Sequence, residues 1–453
     1  MKYKGRAYIY TIGCQMNVYD SEKLGSILAS IGFERTCNPD NADIVVCNTC
    51  SIRHKAEEKA FSFLGRFAQV KRKKPHLILV MAGCVAQQEG KKAFDRVPFL
   101  DIVLGTRAFS RFAGLVDAVK SGSTRVIDIE DSDVIYESMP DTCPDGTDRV
   151  SRFVTIMQGC ENFCTYCVVP YVRGKERSRK PENILDEIRA LAASGIKEVT
   201  LLGQNVNSYG KRENGISFPR LLSMVNEIEG IYRIRFATSH PKDLSPELMD
   251  AIAGLDKVCN HLHLPVQSGS NAVLKKMNRG YTREKYIEKI SALREKCPDI
   301  ALSTDIIVGF PYETSKDFDK TLELLHEIKF DSIFAFAYSN RSSAPAAKFD
   351  GQIDEQEKKD RLNLLLEVQE GYTEEKNTQM KGKTFPVLVE GKSSRKREDI
   401  KNPEGKNFCQ MTGRTESNKI VHFMSQTAKA GDMIDILIQE AYPHSLWGTQ
   451  KGA

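Results

Sequence analysis

Residues 152–167 read RFVTIMQGCENFCTYC, an apolar stretch of strand composition that leads directly into three cysteines. Cys160, Cys164 and Cys167, here called the barrel trio, have the spacing C-x3-C-x2-C, so three thiolates can converge on one metal centre. A structural zinc site takes four ligands and usually pairs of C-x2-C. Three cysteines instead leave one iron of a 4Fe-4S cluster without a protein ligand. The pattern therefore favours a 4Fe-4S cluster with an open iron, where chemistry would occur.

The strand that begins this segment belongs to a strand-then-helix unit that recurs six times. The strands are predicted at RFVTIMQG, EVTLLGQN, YRIRFATS, HLHLPVQS, ALSTDIIVG and SIFAFAYS, with helices such as PENILDEIRALAAS between them. A complete eight-unit barrel typically takes about 250 residues, and only about 220 separate Ser151 from Gly371. Residues 146–375 are therefore predicted to form an open, partial (βα)6 barrel.

Two further domains flank this barrel in the predicted α/β fold. In residues 1–145 the runs RAYIYTIG, ADIVVCN, LILVMAG and DIVLGT alternate with amphipathic stretches, which predicts a parallel α/β sheet. The acidic stretch from Ile127 to Arg149 has no sustained period and is predicted to be a linker. In residues 376–453 the period changes to two, in TFPVLVEG, NFCQMTGRT, KIVHF and DMIDILIQEAY, which predicts a small β-barrel.

Three more cysteines follow predicted strands of the first domain. Cys14, Cys50 and Cys84, here called the N-terminal trio, come at the carboxyl ends of parallel strands, where an open α/β sheet forms its ligand crevice. They could bind a second cluster, again with one open iron. The alternative is that small buried cysteines simply pack at strand ends. Cys47 competes with Cys50 as a ligand, but it lies inside an apolar run and is expected to point into the sheet.

Composition excludes several other classes of protein. With 41% hydrophobic and 28% charged residues the chain is too apolar for disorder, and no apolar run approaches the roughly 18 residues of a membrane span. Twelve cysteines are too few for a disulfide scaffold, so reduced thiols in a cytoplasmic protein are expected. The net charge of +5 permits a nucleic-acid partner without requiring one.

The cysteine loop resembles that of the radical S-adenosylmethionine enzymes, whose signature is C-x3-C-x-aromatic-C on a partial barrel; Tyr166 fills the aromatic position. The resemblance implies that the barrel trio binds the cluster and that the free iron chelates S-adenosylmethionine, whose reductive cleavage yields a 5′-deoxyadenosyl radical. Barrel cofactors lie at the carboxyl ends of strands. The residues expected there, besides Tyr166, are Gln204, Asn205, Ser239, His240, Gln267 and Asp305 to Gly309. For His240 and His263 a purely structural role is an equal alternative.

The three domains together resemble the methylthiotransferase family over essentially the whole chain. The segments that carry the resemblance are GCQMNVYDSE (13–22), NTCSIR (48–53), GCVAQ (83–87), FCTYCVVPYVRGKERSR (163–179) and GRTESNKIVHF (413–423), the last resembling the RNA-binding TRAM domain. They are most similar to the branch that methylthiolates C2 of N6-isopentenyl-adenosine next to the anticodon of tRNA. This implies a transferase with two 4Fe-4S clusters and S-adenosylmethionine.

Two alternatives remain open at this point. Sister enzymes of the family act on threonylcarbamoyl-adenosine in tRNA or on an Asp of a ribosomal protein. A non-catalytic RNA-binding protein, whose metal clusters only brace the fold, is the alternative of a different class.

The resemblance also implies partners. These are the tRNA anticodon stem-loop and an electron donor of the flavodoxin or ferredoxin type, with no membrane partner, a monomeric enzyme and an unknown sulfur donor. Phosphate contacts are expected from Arg173, Lys175, Arg177 and Arg179 after the cysteine loop, and from Lys392, Arg395, Lys396 and Arg397 in the terminal barrel. A solvated charged surface is the alternative for both groups. The segment His444 to Trp447 is a further candidate contact.

Overall fold

The computed structural model of the protein describes residues 5–51, 54–131, 135, 150–213, 215–394 and 408–451. Within these ranges the chain forms a parallel sheet with helices, an open strand-and-helix barrel, and a closed five-stranded barrel. None of the described helices combines the length and the apolar character needed to cross a membrane.

The first unit is a parallel sheet whose six described strands have the order β2-β1-β3-β4-β5-β6. The strands are β1 (Gly5–Ile12), β2 (Phe33–Arg35), β3 (Ile44–Thr49), β4 (Ile78–Gly83), β5 (Ile102–Leu104) and β6 (Val126–Asp128). The helices are α1 (Gln15–Ser30), α2 (His54–Gly65), α3 (Phe67–Lys73), α4 (Cys84–Glu89), α5 (Lys92–Arg96) and α6 (Phe112–Lys120). Strands β3 and β4 are buried along their whole length, as in a parallel sheet covered on both faces.

The predicted parallel sheet is confirmed, with two additions at its edges. Strands β2 (FER) and β6 (VID) have only three residues each and end in a charged residue, so neither forms an apolar run like that of the equally short β5 (IVL). Because β6 includes Ile127 and Asp128, the predicted linker begins too early. Most of the remainder of that linker, and the predicted domain boundary between residues 145 and 146, lie outside the described residues.

The second unit has six parallel barrel strands, in two sheets ordered β11-β10-β7 and β12-β13-β14 in the described chain. A bridge between Ile234 and Val258 links the two sheets. The strands are β7 (Ser151–Thr155), β10 (Glu198–Leu202), β11 (Arg233–Phe236), β12 (His261–His263), β13 (Ala301–Val308) and β14 (Ser332–Ala337), with a small hairpin of β8 (Met157–Gln158) and β9 (Arg177–Ser178). The predicted open barrel is confirmed, since β7 and β14 do not pair.

Most helices of this unit cover the outer face of the barrel, whereas the short helix α7 packs against α4 of the first unit. They are α7 (Val169–Arg173), α8 (Pro181–Ala193), α9 (Phe218–Asn226), α10 (Pro246–Gly254), α11 (Asn271–Lys276), α12 (Arg283–Lys296), α13 (Ser315–Ile328) and α14 (Glu355–Thr378). Helix α12 shows why such segments are helical: the Thr282 hydroxyl caps its first turn, and Tyr286, Ile290 and Leu293 fall on one buried face.

Helix α1 joins the first unit to the barrel through buried polar groups. Arg179 Nη1 donates to Glu187 Oε2 at 2.6 Å and to the Tyr19 hydroxyl at 3.2 Å. Arg173 Nη2 donates to Asp20 Oδ2 at 2.6 Å. All five side chains are buried. The first unit therefore packs on the barrel through charge pairs from which water is excluded.

The third unit is a closed barrel with the order β15-β16-β17-β19-β18 among the described residues. Its strands are β15 (Thr384–Lys392), β16 (Cys409–Arg414), β17 (Ile420–Ser425), β18 (Met433–Ala441) and β19 (Leu446–Gln450). The closed barrel confirms the predicted fold class. Strand β19 includes Leu446 and Trp447, both buried, so half of the predicted RNA-contact segment is part of the barrel wall, whereas His444 is exposed before the strand.

This terminal barrel packs on the amino-terminal ends of the central barrel strands. Arg233 Nη2 donates to Pro386 O at 2.8 Å, and Arg235 Nη2 donates to Thr415 O at 2.8 Å. Helix α14 also reaches it, because Asn377 Nδ2 donates to a backbone oxygen of the terminal barrel at 2.8 Å. The predicted boundary between residues 375 and 376 falls inside this helix. The domain limits themselves stay predictions.

Replacing Glu187 by Ala is expected to lower the free energy of unfolding by about 3–5 kcal/mol, because the Arg179 guanidinium would stay buried without its carboxylate. Urea unfolding followed by circular dichroism measures the change. The neighbouring Asp186→Ala variant is the control, because its ion pair with Arg189 is exposed, and we expect a change within about 0.5 kcal/mol. Equal stability of the two variants would contradict the role given to the buried pair.

Candidate active site

A cavity of about 230 Å³ lies where the first unit meets the carboxyl ends of the barrel strands. The whole barrel trio lines it, and so do Cys14 and Cys84 of the N-terminal trio. Cys50 does not line it directly, but it hydrogen-bonds to Cys14, and the next residue, Ser51, is part of the wall. Cysteines that are far apart in sequence are thus brought to one space.

Two glycines allow the N-terminal trio to come together. Gly13 has φ +152°, and a Cβ at this position would lie 2.4 Å from the Cβ of Cys50. Gly83 has φ +91°, and a Cβ there would lie 2.4 Å from Asn48 Oδ1. Only glycine fits such close backbone approaches. Each glycine directly precedes a cysteine of the trio, Cys14 or Cys84.

An asparagine network fixes the three loops that carry this trio. Asn17 Nδ2 donates to Asn48 Oδ1 at 3.2 Å and to Thr49 O at 3.1 Å. The Cys14 amide donates to Asn17 Oδ1 at 3.4 Å. Thr49 Oγ1 donates to Ala82 O at 2.9 Å, which extends the network to the strand before Cys84. The loops after β1, β3 and β4 are therefore held in one arrangement.

Arg173 lies among these thiols and not on the surface. Its side chain is 3% exposed, and its Nη1 atom has no hydrogen-bond partner in the described chain. The Cys50 hydrogen bond, with a further contribution from the Arg173 charge, lowers the pKa of Cys14 to about 6. Burial raises the pKa of Cys84, while Arg173 opposes this effect. The arginine thus supplies positive charge where thiolates would bind a metal.

A second buried arginine serves the barrel trio. Arg279 Nη1 lies 3.3 Å from Cys164 Sγ and 3.2 Å from the Tyr166 hydroxyl, and Nη2 donates to Pro265 O at 2.8 Å. Burial raises the pKa of Cys160 to about 11 and that of Cys167 to about 12, so the free thiols are neutral at pH 7. Arg279 is a functional candidate that sequence reasoning missed, since no motif connects it with the cysteine loop.

Most of the residues predicted at strand ends are in the cavity wall. Tyr166, Gln204, Ser239, Gln267 and Asp305 line it, and His240 does so as well.

Two predicted cofactor residues do not line the cavity. Asn205 is buried beneath it, where its Nδ2 donates to Asp243 Oδ2 at 2.7 Å and its Oδ1 accepts from the His240 amide at 3.1 Å. Gly309 donates its amide to Glu313 Oε1 at 3.0 Å, behind the wall. These hydrogen bonds give both residues a structural role, and their contact with a cofactor stays a prediction.

The wall carries buried polar atoms without hydrogen-bond partners in the described residues. These are Ser239 Oγ, His240 Nε2 and Gln267 Oε1. Burying such atoms unpaired costs free energy. Thr238 and Gln267 also have φ of 66° and 73°, a conformation that is costly for a β-branched residue and that occurs at ligand sites. The wall therefore fits a polar cofactor such as S-adenosylmethionine.

Burial lowers the pKa of His240 to about 2, so its ring is neutral.

The predicted phosphate contacts divide into three groups. Arg173 and Arg179 are buried in ion pairs, so a contact with phosphate no longer follows from their positions. Lys175 and Lys392 are exposed, and Arg177 is half-buried in β9. The basic residues Arg395, Lys396 and Arg397 lie outside the described residues.

Cys47 does not reach the cavity. It is fully buried in the core on one face of the sheet, as predicted, and burial raises its pKa. Among the described residues, no group of three or more His, Cys, Asp or Glu side chains is arranged to hold a metal ion. Five of the six trio cysteines line the cavity instead, and Cys50 contacts Cys14.

Three family models match the chain. The model described as "Uncharacterized protein family UPF0004" matches residues 6–105, the "Radical SAM superfamily" matches residues 154–325, and the "TRAM domain" matches residues 378–450. The central match and the cysteine-lined barrel mouth define a radical S-adenosylmethionine enzyme, a class that uses an iron–sulfur cluster and S-adenosylmethionine.

Curated relatives match over nearly the full length. The tRNA-2-methylthio-N(6)-dimethylallyladenosine synthase of Desulfosudis oleivorans is 52% identical over 455 residues, which cover 99% of this chain and 97% of the relative. The protein of the same name from Syntrophus aciditrophicus is 46% identical over 452 residues, covering 98% and 94%. The chain belongs to the methylthiotransferase family that contains these synthases, which confirms the resemblance seen in the sequence.

Solved structures share the fold. The radical S-adenosylmethionine methyltransferase TsrM from Kitasatospora setae, with tryptophan and a cofactor analogue bound, aligns with a TM-score of 0.57 at 12% identity, covering 88% of this chain and 79% of that chain. The cobalamin-dependent radical enzyme OxsB aligns with a TM-score of 0.53 at 14% identity, covering 82% and 56%.

In the metal-free, reduced protein, Cys14 is expected to react with iodoacetamide with a midpoint near pH 6. The thiolate is the nucleophile, and a lowered pKa means that this form predominates above about pH 6. Mass spectrometry of alkylated peptides across a pH series gives the midpoint. Cys50→Ala removes the main stabilising hydrogen bond and should raise the midpoint toward the ordinary value of about 8.5.

Cys47→Ala is the matched control, because Cys47 lies in the core and should leave the Cys14 midpoint unchanged. An unaltered midpoint in Cys50→Ala would show that the two thiols do not interact.

Proposed function

We propose that this protein methylthiolates C2 of N6-isopentenyl-adenosine next to the anticodon of tRNA. The observation that carries the proposal is the single cavity lined by cysteines of both trios. The relatives named for this reaction support the substrate. Joining sulfur to an unactivated carbon requires the sulfur source and the radical source to reach the same substrate atom. A shared cavity meets that requirement.

Each trio is proposed to hold one 4Fe-4S cluster, with S-adenosylmethionine bound on the barrel side. When bound, these cofactors supply a radical that removes hydrogen from C2, together with the sulfur and methyl group that replace it. The protein supplies binding, orientation and exclusion of water. Acid and base groups have little to act on, since C2–H of adenine is not acidic. The neutral His240 ring agrees with a binding role and not with a proton-donating one.

Two buried cations stabilise the proposed ligand sets. Arg173 lies beside the N-terminal trio, and Arg279 donates to Cys164 of the barrel trio. Three thiolates in a site with little water require nearby positive charge. On the barrel wall, the partnerless oxygen and nitrogen atoms of Ser239, His240 and Gln267 are proposed to bind polar groups of S-adenosylmethionine.

The tRNA is proposed to extend from the cavity toward the terminal barrel. These two regions lie at opposite ends of the central strands, and β13, with eight residues, is about 26 Å long. Lys175 near the cysteine loop and Lys392 on the terminal barrel are exposed and suited to phosphate contacts. We further propose a monomer that works in the cytoplasm, where tRNA is modified, and takes electrons from a flavodoxin or ferredoxin.

The direct test offers the reconstituted, reduced enzyme three substrates side by side: prenylated anticodon stem-loop, unprenylated stem-loop and the ribosomal protein. Methylthio product, measured by mass spectrometry of nucleosides and peptides, is expected on the prenylated stem-loop. Product only on the ribosomal protein would reject the proposed substrate.

Alanine replacement of each trio separates the two clusters. Reconstituted wild-type protein should contain about eight irons, and either triple variant about four. The barrel-trio variant should lose cleavage of S-adenosylmethionine. The N-terminal-trio variant should keep cleavage but give no methylthio product, because only the sulfur-carrying site is lost. Iron analysis and chromatography of 5′-deoxyadenosine provide the readouts.

The single variant Cys47→Ala is the control and should keep eight irons and full product, since Cys47 is remote from the cavity. Cleavage that survives loss of the barrel trio would contradict the assignment of S-adenosylmethionine to that site.

A further inference from the structure

Strand β14 forms the open edge of the central barrel and carries a large apolar side chain exposed to solvent. Phe334 is 52% exposed. Its neighbours in the strand, Ile333 and Ala335, pack against the main core of the barrel. Because side chains alternate along a strand, Phe334 and Phe336 point away from that core.

The strand register identifies the face on which Phe334 lies. On β13, Ile306 and Val308 are in the core beneath the helices, whereas Asp305 lines the cysteine cavity. Asp305 pairs with Phe334 across the two parallel strands. Paired residues share a face of the sheet, so Phe334 is on the inner face of the barrel. It is exposed there because the barrel is open along β14.

This apolar strip adjoins two residues of the cavity wall, Tyr166 and Asp305, although its own side chains do not line the cavity. Ile307 pairs with Phe336 and packs in a small cluster that includes Tyr166 of the cysteine loop. At its other end, the Phe334 ring lies 5.7 Å from the ring of His263. The strip therefore leads from the cysteine loop to the cavity wall at Asp305.

A hydrogen-bonded histidine fixes the carboxylate beside the strip. His263 Nε2 lies 3.3 Å from Asp305 Oδ1, and its Nδ1 lies 3.0 Å from Ser303 Oγ. With both ring nitrogens engaged, His263 is a positioning residue that orients Asp305. The inner face thus presents a hydrogen-bond acceptor directly next to apolar surface.

We propose that Phe334, Phe336 and Ile307 bind the N6-dimethylallyl group of the substrate adenosine and that Asp305 accepts a hydrogen bond from its N6–H. This inference rests on the proposed function and specifies its substrate recognition. The chemistry matches because N6 of the prenylated base carries one N–H directly beside a five-carbon apolar branch. An unmodified adenine would leave the strip exposed. A threonylcarbamoyl group would bring its own carboxylate against Asp305, so this arrangement also disfavours the sister tRNA substrate.

The test measures binding of fluorescent anticodon stem-loops to the full-length protein by anisotropy, with prenylated and unprenylated versions. Phe334→Ala should reduce the preference for the prenylated stem-loop by about tenfold or more, the scale expected for lost apolar contacts in a binding pocket. Affinity for the unprenylated stem-loop should not change, which also reports an intact fold. Phe334→Leu, which keeps an apolar side chain, should retain most of the preference.

Leu364→Ala is the matched control, because Leu364 is similarly exposed, at 44%, but lies on the outer helix α14. Asp305→Asn should additionally improve binding of a threonylcarbamoyl stem-loop. The inference would be overturned if Phe334→Ala kept the full preference for the prenylated stem-loop, or if it bound both stem-loops equally less tightly. Methylthiolation of the prenylated stem-loop by the wild-type protein would still support the proposed function in that case. A wild-type protein without that activity would reject the proposed function itself.

Discussion

The site depends on one buried ion pair, between Arg173 and Asp20, at 2.6 Å. Asp20 is on α1, the helix that starts directly after Cys14, and Arg173 ends α7, the short helix that follows Cys167. The pair therefore joins the two cysteine loops across the boundary between the first unit and the barrel. In a water-poor interface neither charge can be left alone without a cost of several kcal/mol, roughly 3–5. The two units are thereby confined to one relative arrangement.

Arg173 also affects the chemistry of the site, because its positive charge lies near the thiols of the N-terminal trio. Its Nη1 atom has no hydrogen-bond partner in the described chain, and its positive charge acts on the thiols of Cys14 and Cys84. Arg279 has the corresponding position beside the barrel trio. Each cysteine trio thus has its own buried cation. The arrangement of the cysteine loops, the packing of the first unit on the barrel and the positive charge near the thiols therefore all involve Arg173.

The sequence was sufficient for those parts that depend on local pattern. Strand periodicity predicts the parallel sheet, the open barrel and the closed barrel. The cysteines that follow strands predict where each trio lies, because the carboxyl ends of parallel strands share an edge of the sheet. The strands β2 (FER), β6 (VID) and β19 (LWGTQ) escape detection because they are short and contain polar or charged residues, whereas the equally short β5 (IVL) is a continuous apolar run. Arg173 and Arg179 look like a surface basic run, since their partners Asp20 and Glu187 become neighbours only through tertiary packing. A role for Arg279 is visible only when folding places it beside the cysteine loop. A role for Phe334 is visible only when its pairing with Asp305 across β13 and β14 is known.

The position of the terminal barrel has an evolutionary consequence. It is attached to the amino-terminal ends of the strands through Arg233 and Arg235, whereas the reacting carbon would be held at the carboxyl ends. On the proposed function, binding of the RNA and choice of the atom to be modified would therefore depend on two separate groups of residues. If Asp305, Phe334 and Phe336 bind the base as proposed, substitutions on β13 and β14 would change which modified base is accepted and leave the terminal barrel's proposed RNA contacts unchanged. Under that proposal, one scaffold would accept different substrates after changes in a few inward-facing side chains.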